Sequence, residues 1–443
     1  MRKILYYVLI FIGFVSCDSK FNYDETIPLY NLTIELADSV NKDKRFDGAI
    51  LELRCIGRDA VFTDTVNATS KVDFIIPAGI YEARSQHILR DGINNVEISN
   101  GSSGQIVVGR ESSMNIRINM TSTKTSQLVI KELYNGGIMK DDGQTFQSDK
   151  CFILYNNSST IATYDNLCIA IVSPYNSHAG NKWYDNNGKL IYDNEGYLPV
   201  LDGIWYFPST LTIEPYKQIV VNCHGAIDNT LTYPQSVNYA NSSYYCMYDP
   251  EAGYINPSYY PAPSSVIPTS HYLKAVKIGI SNAWALSVMS PALIIFQTKD
   301  VEPREFATNV ANQTYTPKAK QDDINKVVKI PNEWILDGIE VFMTTAKNAN
   351  MKRLTSVIDA GAVNLTNQHG HSLYRNVDKN ATERLPENAG KLVYNYSLGV
   401  PPTTDISGID AEASLKNGAH IIYMDTNNST NDFHERLKCS LRE

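Results

Sequence analysis

Residues 128–137 read LVIKELYNGG, and residues 151–158 read CFILYNNS. Each stretch is a run of apolar and aromatic residues that ends in Asn with Gly or Ser, the residue types that favour turns. Short apolar runs between such turn signals are typical of buried β-strands. The two stretches therefore predict neighbouring strands of an all-β fold.

Several later segments extend this pattern toward the C-terminus. They are residues 167–170, 211–221, 371–375 and 425–433. Together with the two opening strands they resemble the lamin-tail Ig-like β-sandwich, although Pro215-Tyr216 stands where that family usually has Pro-Gly. The resemblance implies a lamin-tail-like β-sandwich over residues 127–440, interrupted by long loop insertions at 172–197 and 233–263.

The N-terminal part of the chain predicts a separate β-sandwich over residues 28–122. Leu32, Ile34 and Leu36 alternate with polar residues, which indicates a strand with one buried face. The sequence IPAGIYEA at 76–83 resembles the transthyretin-like, carboxypeptidase-regulatory-like domains. That resemblance implies a non-catalytic spacer or binding module. We expect a polar linker at residues 121–126, between the two modules.

Residues 1–16 have the features of a secretory signal peptide. A short positive segment precedes the apolar run 4–14, which is too short to span a membrane. Ser16-Cys17 after this run resembles the lipobox of bacterial lipoproteins, which implies lipidation of Cys17 and a tether at 17–27. The alternative is an ordinary signal peptide with a nearby cysteine. We expect a lipid-anchored protein of the outer membrane that is exposed at the cell surface. The sequence alone does not decide between the inner and the outer face of that membrane.

Composition restricts the class of protein. The 443 residues carry a formal charge of −8 and no cluster of Lys and Arg, which argues against nucleic-acid binding. The cysteines that remain after Cys17 are Cys55, Cys151, Cys168, Cys223, Cys246 and Cys439. Their wide spacing disfavours a zinc site and leaves disulfides and buried thiols as alternatives.

Familiar catalytic motifs are missing from the sequence. There is no GxSxG elbow, HExxH helix, P-loop or GxGxxG stretch, so we expect no enzyme and no cofactor. His369 and His371 form a close pair, but no third ligand is adjacent, and we predict no metal there. Residues 425–432 alternate oxygen-bearing side chains as calcium loops do, yet a solvated, self-bonded turn fits them better.

The insertion at 233–263 holds eight tyrosines. Tyrosine rings provide flat amphipathic contact area, which sugars and protein partners both exploit. We predict a binding site at the tip of this loop, formed by exposed Tyr244, Tyr245, Tyr248 and Tyr254. The alternative is that these rings pack on the sandwich.

The second module most resembles an uncharacterised Bacteroidetes lipoprotein family, and the resemblance covers most of residues 127–440. In that family a lamin-tail-like sandwich follows a small N-terminal β-domain, and no activity is established. The expectation is a binding or accessory module, attached to the membrane by its lipid and serving nutrient uptake beside a TonB-dependent transporter. An adhesive or structural surface protein is the alternative, followed by a cryptic hydrolase. The sequence does not identify the ligand.

Overall fold

The computed structural model describes residues 28–38, 41–58, 60–91, 95–109, 113–124 and 127–442. The expected signal peptide 1–16 and the expected tether 17–27 with Cys17 lie outside the described residues. Residues 125 and 126 of the expected linker do so as well.

The first part of the chain folds into one eight-stranded sheet. Its strands are β1 (Leu29–Asp38), β2 (Ile50–Cys55), β3 (Val61–Thr65), β4 (Lys71–Pro77), β5 (Gly79–Asp91), β6 (Asn95–Ser102), β7 (Ile106–Val108) and β8 (Ser113–Lys124). They are ordered β3-β2-β5-β6-β8-β1-β4, and β7 pairs with β5. Leu32, Ile34 and Leu36 are buried, so the predicted alternation of β1 is confirmed.

Strand β8 continues further than the sequence suggested. It runs to Lys124 and pairs with β6 through Glu97↔Lys124 and Asn100↔Thr121. Residues 121–124, expected to form a polar linker, therefore belong to the first sheet. Their backbone groups bond to a neighbouring strand, so a polar composition does not prevent them from extending the sheet.

The second part holds the remaining strands. They are β9 (Leu128–Tyr134), β10 (Cys151–Asn156), β11 (Ala162–Tyr164), β12 (Leu167–Ile171), β13 (Tyr197–Val200), β14 (Gly203–Tyr206), β15 (Leu211–Ile213), β16 (Gln218–Asn222), β17 (Tyr245–Cys246), β18 (Lys274–Lys277), β19 (Ala292–Gln297), β20 (Gln313–Tyr315), β21 (Lys326–Pro331), β22 (Ile335–Met343), β23 (Val363–Leu365), β24 (Ser372–Arg375) and β25 (Phe433–Arg436). The opening stretches of the sequence are β9 and β10, which pair antiparallel.

Helices are short in the described residues. The α-helices are α1 (Pro303–Thr308), α2 (Lys379–Glu383), α3 (Ala411–Lys416) and α4 (Ser429–Asp432). The 3-10 helices are Ile191–Asp193, Asn229–Leu231, Thr269–His271, Val310–Asn312, Asn332–Trp334, Thr344–Ala349, Pro386–Asn388 and Ser440–Arg442. Among the described residues, no helix has the length and apolar character needed to cross a membrane. The predicted all-β fold class is confirmed.

Two six-stranded sheets face each other in the second part. One has the order β17-β16-β10-β9-β24-β25, and the other has the order β18-β14-β12-β19-β22-β23. A common apolar core joins them. Leu133 and Phe152 come from the sheet that contains β9 and β10, and Ile169, Leu293 and Ile339 come from the second sheet, which contains β12, β19 and β22. This arrangement is a β-sandwich, in which alternate residues of each strand point into the core.

Inserted segments cover the outer face of the second sheet. On β12, Ile169 points into the sandwich while Cys168 and Ala170 point to a second core. That core is closed by the three-stranded sheet β13-β21-β20 and by Phe306 of α1. Strand β12 is therefore buried on both faces, which explains why it reads as a continuous apolar run.

The outer face of the other sheet of the sandwich, which contains β9, is covered as well. Lys131 of β9 is buried and pairs with Glu412 of α3 at 2.5 Å. Glu132 accepts a hydrogen bond from the Ser440 backbone at 3.0 Å. These buried polar groups keep partners, because an unpaired one would lose its hydration without compensation.

Tyr216 occupies the turn that differs from the lamin-tail pattern. Its φ is +55°, in the left-handed region that favours glycine. The Tyr216 ring stacks on His420 at 4.4 Å between centroids, and Tyr216 is largely buried. This packing contact offsets the strain of a side chain at a glycine-like position.

The six remaining cysteines are all buried, and all six are free thiols. Cys168, Cys223 and Cys439 are fully shielded from solvent, and burial raises the pKa of each thiol. Of the two alternatives that the spacing left open, the structure has buried thiols.

The two carboxylates of the stretch 425–432 turn inward rather than toward solvent. Asp425 and Asp432 face the fully buried guanidinium of Arg375, at 3.2 Å and 3.8 Å. Asp337 of β22 is hydrogen-bonded to the same guanidinium. The turn is self-bonded as predicted, since Asp432 accepts from the backbone of Thr426. The expectation that it is solvated is wrong for the two carboxylates, which compensate Arg375, whereas Thr430 and Asn431 are exposed.

Replacing Arg375 with Ala should strongly destabilise the fold. The change leaves three buried carboxylates without their cation, and removing one partner of a buried ion pair costs about 3–5 kcal/mol. Urea unfolding at pH 7.5 measures this loss. The deficit should shrink in mild acid, since protonation neutralises the three carboxyls, and burial already raises their pKa.

Arg384→Ala is the matched control, because Arg384 is exposed. We expect its free energy of unfolding to stay within about 0.5 kcal/mol of the wild type. Equal losses in the two variants would show that the buried cluster does not hold the sandwich together.

Candidate functional site

Tyr254 lies in the core of the sandwich, with 6% of its surface exposed. Its ring stacks on Trp205 at 5.8 Å between centroids, and its hydroxyl donates to the backbone carbonyl of Asp202 at 2.6 Å. Burying an aromatic ring in such a site is more favourable in free energy than leaving it in solvent, even when the loop that carries it is polar. The predicted exposure of Tyr254 is wrong.

Tyr244, Tyr245 and Tyr248 are each partly buried. Tyr245 stacks on His271 at 4.1 Å, and Tyr248 lies edge-on to Tyr272 at 5.6 Å. Burial raises the pKa of the Tyr244 hydroxyl to about 12. The expected cluster of exposed rings does not form at these residues. Their partly buried state agrees better with the alternative, in which the rings pack on the sandwich. Their role in binding stays a prediction.

A cleft of about 290 Å³ opens at a different place. The first insertion, the β13–β14 turn, the segment after β18 and the β20–β21 loop line it, at residues 173–183, 201–202, 278–281 and 316–327. All of these segments surround the second sheet and its outer core. The folded insertions, and not the tip of the tyrosine loop, therefore create the concave surface.

Asp202 is the distinctive residue of this cleft. Its φ is +61°, and Gly203 follows at +112°, where an added Cβ would lie 2.0 Å from the Val276 carbonyl. The turn is thus restricted at both positions, and such restricted backbone is common at ligand sites. The Asp202 carboxylate accepts a hydrogen bond from the Ser281 hydroxyl.

Burial raises the pKa of Asp202, while Ser281 and the nearby Lys277 oppose that rise. Desolvation outweighs the two favourable contacts because neither replaces the full hydration of a carboxylate. Asp202 therefore offers an acceptor that gains from additional hydrogen-bond donors. A ligand hydroxyl can provide such a donor.

The walls of the cleft combine apolar and polar groups. Tyr175 is 37% exposed, and Ile280 and Ile324 stand exposed beside it. Trp183 is buried, and its indole N–H donates to the Ser173 hydroxyl at 3.2 Å. These groups provide a flat ring and aliphatic edges on which an apolar ligand face can rest.

The charges of the lining are balanced. Lys326 pairs with Asp323 at 2.6 Å, and Lys182 and Asp202 add one charge of each sign. A lining without net charge does not favour a strongly ionic ligand. Its acceptors, hydroxyls and apolar walls match a neutral ligand with many hydroxyl groups.

Sequence reasoning did not single out Asp202 or Ser281. A local signal existed, since Asp-Gly dipeptides mark tight turns. It could have located the turn, but not the cleft. Ser281 lies 79 positions away in the sequence, and the pairing of β14 with β18 brings it to Asp202.

A buried histidine supports the aromatic residues under the cleft. His224 lies edge-on to Tyr259 and Tyr260, at 4.9 Å and 5.9 Å between centroids. Tyr260 in turn stacks on Tyr254, whose hydroxyl holds the Asp202 backbone. Both His224 ring nitrogens are buried without a hydrogen-bond partner. Burial, and then the charge of Lys150, lower the pKa of His224.

His224 should make the fold sensitive to acid. Its imidazole is neutral in the folded chain, whereas the unfolded chain takes up a proton near pH 6.5. The contribution that the neutral His224 imidazole makes to the free energy of unfolding is therefore fully present above about pH 6.5. It is lost progressively as the pH falls below that value. His224→Leu should remove about 2 kcal/mol of that loss at pH 5. Urea unfolding at pH 7.5 and pH 5 measures the difference.

His178→Leu is a suitable control, because His178 is only partly buried and contacts Ser290 at 3.3 Å. This variant removes an imidazole that lies outside the aromatic cluster of Tyr254, Tyr259 and Tyr260, so the acid sensitivity assigned to His224 should persist in it. An acid profile that is identical in the wild type and His224→Leu would contradict the assignment.

A second cleft, of about 470 Å³, lies beside Tyr216 and His420. The acidic residue of its lining, Glu412, already pairs with Lys131 and accepts from the Tyr374 hydroxyl at 2.6 Å. A group with two strong partners has little to gain from a ligand. The Asp202 cleft is therefore the better candidate.

The histidine pair of the sequence is placed near β24. The rings of His369 and His371 are 5.4 Å apart between centroids, and His371 contacts the Glu435 carboxylate at 2.7 Å. Within the described residues, no cluster of three or more His, Cys, Asp or Glu side chains is arranged to hold a metal. The absence of a metal at the pair stays a prediction.

Comparisons with known proteins give a similarity to one family over part of the chain and a shared fold, but no activity. Residues 214–396 match the sequence model of a family described as protein of unknown function, DUF4876. No curated protein sequence matches the chain significantly.

The solved structures that align with the chain include two from Bacteroides. A DUF4876 family protein from Bacteroides thetaiotaomicron aligns over 91% of this chain and 94% of its own, with 21% identity and a TM-score of 0.51. A DUF3823 family protein from Bacteroides ovatus aligns over 42% of this chain and 99% of its own, with 10% identity and a TM-score of 0.15. The chain is thus similar over residues 214–396 to the DUF4876 domain of unknown function, and it shares the fold of a Bacteroides protein from that family.

Proposed function

We propose that this chain is a surface lipoprotein of the outer membrane that binds a neutral, hydroxyl-rich ligand, such as a sugar, in the Asp202 cleft. The observation that carries the proposal is the cleft itself. It joins a partly desolvated carboxylate with one hydroxyl donor to an exposed aromatic ring and aliphatic edges.

The chemistry of a sugar ring complements these groups. Its hydroxyls can donate to the Asp202 carboxylate and exchange hydrogen bonds with Ser281, while its C–H face can rest on Tyr175. The cleft volume of about 290 Å³ is at the small end of ligand sites, which span about 300–1,000 Å³. A ligand of one or two rings is favoured.

The position of the protein in the cell rests on its N-terminal sequence. The short apolar run and Ser16-Cys17 support export and lipidation. Two or three acyl chains would hold the protein at the membrane permanently. In this proposal the first sheet is a transthyretin-like spacer, and the second part is a lamin-tail-like sandwich that carries the cleft.

The role in uptake is part of the same proposal. The protein is a binding module and not an enzyme, and it would present its ligand to a TonB-dependent transporter. Hydrolysis of a glycosidic bond ordinarily needs two carboxyl groups in matched positions. The other carboxylate of the lining, Asp323, is exposed and paired with Lys326, so the single desolvated carboxylate of Asp202 supports binding.

Cys17→Ser should release the protein from the membrane, since the serine hydroxyl does not accept the lipid through a thioether. The fold should not change, because position 17 precedes the first described strand. Membrane fractionation with metabolic labelling by a fatty acid measures both effects. Retention of label, or of the unlabelled variant in the outer membrane, would contradict the lipoprotein assignment.

Asp202→Asn should weaken ligand binding roughly tenfold or more, since hydrogen bonds to a charged group contribute about 1.5–3 kcal/mol. The probes are neutral mono- and disaccharides, first screened by saturation-transfer NMR and then titrated calorimetrically. Thr210 and Asp165 form a similar hydroxyl–carboxylate pair on an exposed surface outside the cleft, so Asp165→Asn is the matched control.

We expect the control to bind like the wild type. If no saccharide of the panel binds the wild type at millimolar concentration, or if Asp202→Asn binds as well as Asp165→Asn, the cleft is not a sugar site. Tyr175→Ala provides an independent measurement, because it removes the ring and leaves the carboxylate in place.

A further inference from the structure

Exposed apolar side chains of the first sheet gather at one of its ends. They are Leu29, Ile56, Val61, Ile75, Ile80 and Val107, and between 40% and 60% of each is exposed. Strand register places them together. Leu29 lies opposite Pro77, Ile80 opposite Val107, and Val61 opposite Arg54.

Backbone contacts complete this end of the sheet. The Ile56 N–H donates to the Ile80 carbonyl at 2.7 Å. Pro77 ends β4 and Gly79 begins β5, with one residue between them. The part of the sheet that contains Leu29 and the part that contains Val107 therefore meet at that turn. Ile50 and Leu89 are exposed too, but they lie toward the other end, since Ile50 pairs with Gln86. We call the first group of six residues the apolar end.

The chain enters the first sheet at the apolar end. Leu29 is the first residue of β1, twelve positions after Cys17. Strand β8 runs parallel to β1 and ends at Lys124, opposite Glu97, at the far end of the sheet. The chain therefore leaves toward its second part at the end opposite to the lipid attachment.

We propose that the apolar end of the first sheet docks on the surface of the lipid bilayer that holds the anchor. The inference rests on the proposed lipidation of Cys17 for its place in the cell, but the contact itself needs only a tether at that position. Residues 18–27 span at most about 35 Å, so the tether keeps this end within reach of the headgroups.

The chemistry of the apolar end fits a lipid surface. Exposed Leu, Ile and Val gain by entering the boundary between headgroups and acyl chains. Arg58 is exposed beside them and can contact lipid phosphates, and Arg54 can do so by leaving its exposed pair with Glu52 at 3.7 Å. A local anchor adds a high effective concentration, so even a weak surface contact is populated. Docking would hold the far end, and the second part with it, away from the membrane.

The test uses the mature chain from Asp18 with an N-terminal histidine tag in place of Cys17. The tag attaches the chain to phosphatidylethanolamine–phosphatidylglycerol vesicles that contain a nickel-chelating lipid. Two variants place a fluorescent reporter at equally exposed positions, Val107→Trp at the apolar end and Ile50→Trp toward the other end. Brominated acyl chains quench a tryptophan that enters the bilayer surface.

We expect quenching of the added signal to be severalfold stronger for Val107→Trp than for Ile50→Trp, with the wild-type fluorescence subtracted. Adding Ile75→Thr and Ile80→Thr to the first variant should abolish the difference, because threonine keeps the strand but removes the apolar surface. Equal quenching at the two positions, or quenching that survives the two threonines, would overturn the proposal.

A second copy of the chain is the competing occupant of the apolar end. Analytical ultracentrifugation of the untethered chain without lipid distinguishes it, and a dimer that Ile75→Thr and Ile80→Thr dissociate would overturn membrane docking. Because the synthetic tether replaces acylation and the cleft takes no part, failure here is separable from failure of the Cys17→Ser or Asp202→Asn experiments.

Discussion

Arg375 lies fully buried at the point where the two sheets of the sandwich meet the end of the chain. Its guanidinium binds Asp337 on one sheet and donates from Nε to the Ile130 carbonyl on the other, at 2.7 Å. Asp425 and Asp432 approach it from the closing segment. A charge in this environment is tolerable only when it is paired and hydrogen-bonded. The sandwich and the segment 425–432 must therefore assemble together.

The same constraint explains the covered outer faces. Strands β9 and β12 are buried on both faces, so the sandwich needs additional layers on either side. Inserted segments provide most of those layers. The segment between β24 and β25 holds Glu412, the partner of Lys131, and the segment after β25 holds Ser440, the partner of Glu132. Residues that would be loop in a minimal sandwich thus become part of its core. The tyrosines of 233–263 are mostly used for this purpose.

The Asp202 cleft is a consequence of that covering. A turn restricted at Asp202 and Gly203 lies where the first insertion, the segment after β18 and the β20–β21 loop converge. Tyr254 and Tyr260 hold the turn from below, and His224 fills the space behind them. The cleft is therefore supported by packed aromatic rings, which gives a binding site a fixed shape before the ligand arrives.

The local sequence pattern was sufficient to predict a strand wherever the residues of that strand alone determine its conformation. The alternation of Leu32, Ile34 and Leu36 predicted β1, and the runs at 128–134 and 151–156 predicted β9 and β10. These predictions succeed because the side-chain period of a strand and the turn preferences of Asn and Gly act over a few residues. The all-β class follows from them.

Only the tertiary structure decided which polar and aromatic residues are buried. Tyr254 was expected in solvent because its neighbours in sequence are polar, but its environment is set by Trp205, which is 49 positions away. Asp425 and Asp432 read as a solvated turn until Arg375 is brought beside them by β24. Asp202 becomes a candidate site only with Ser281 and the surrounding insertions. In each case the free energy that fixes the side chain comes from desolvation and pairing between distant segments, and no local pattern carries that information.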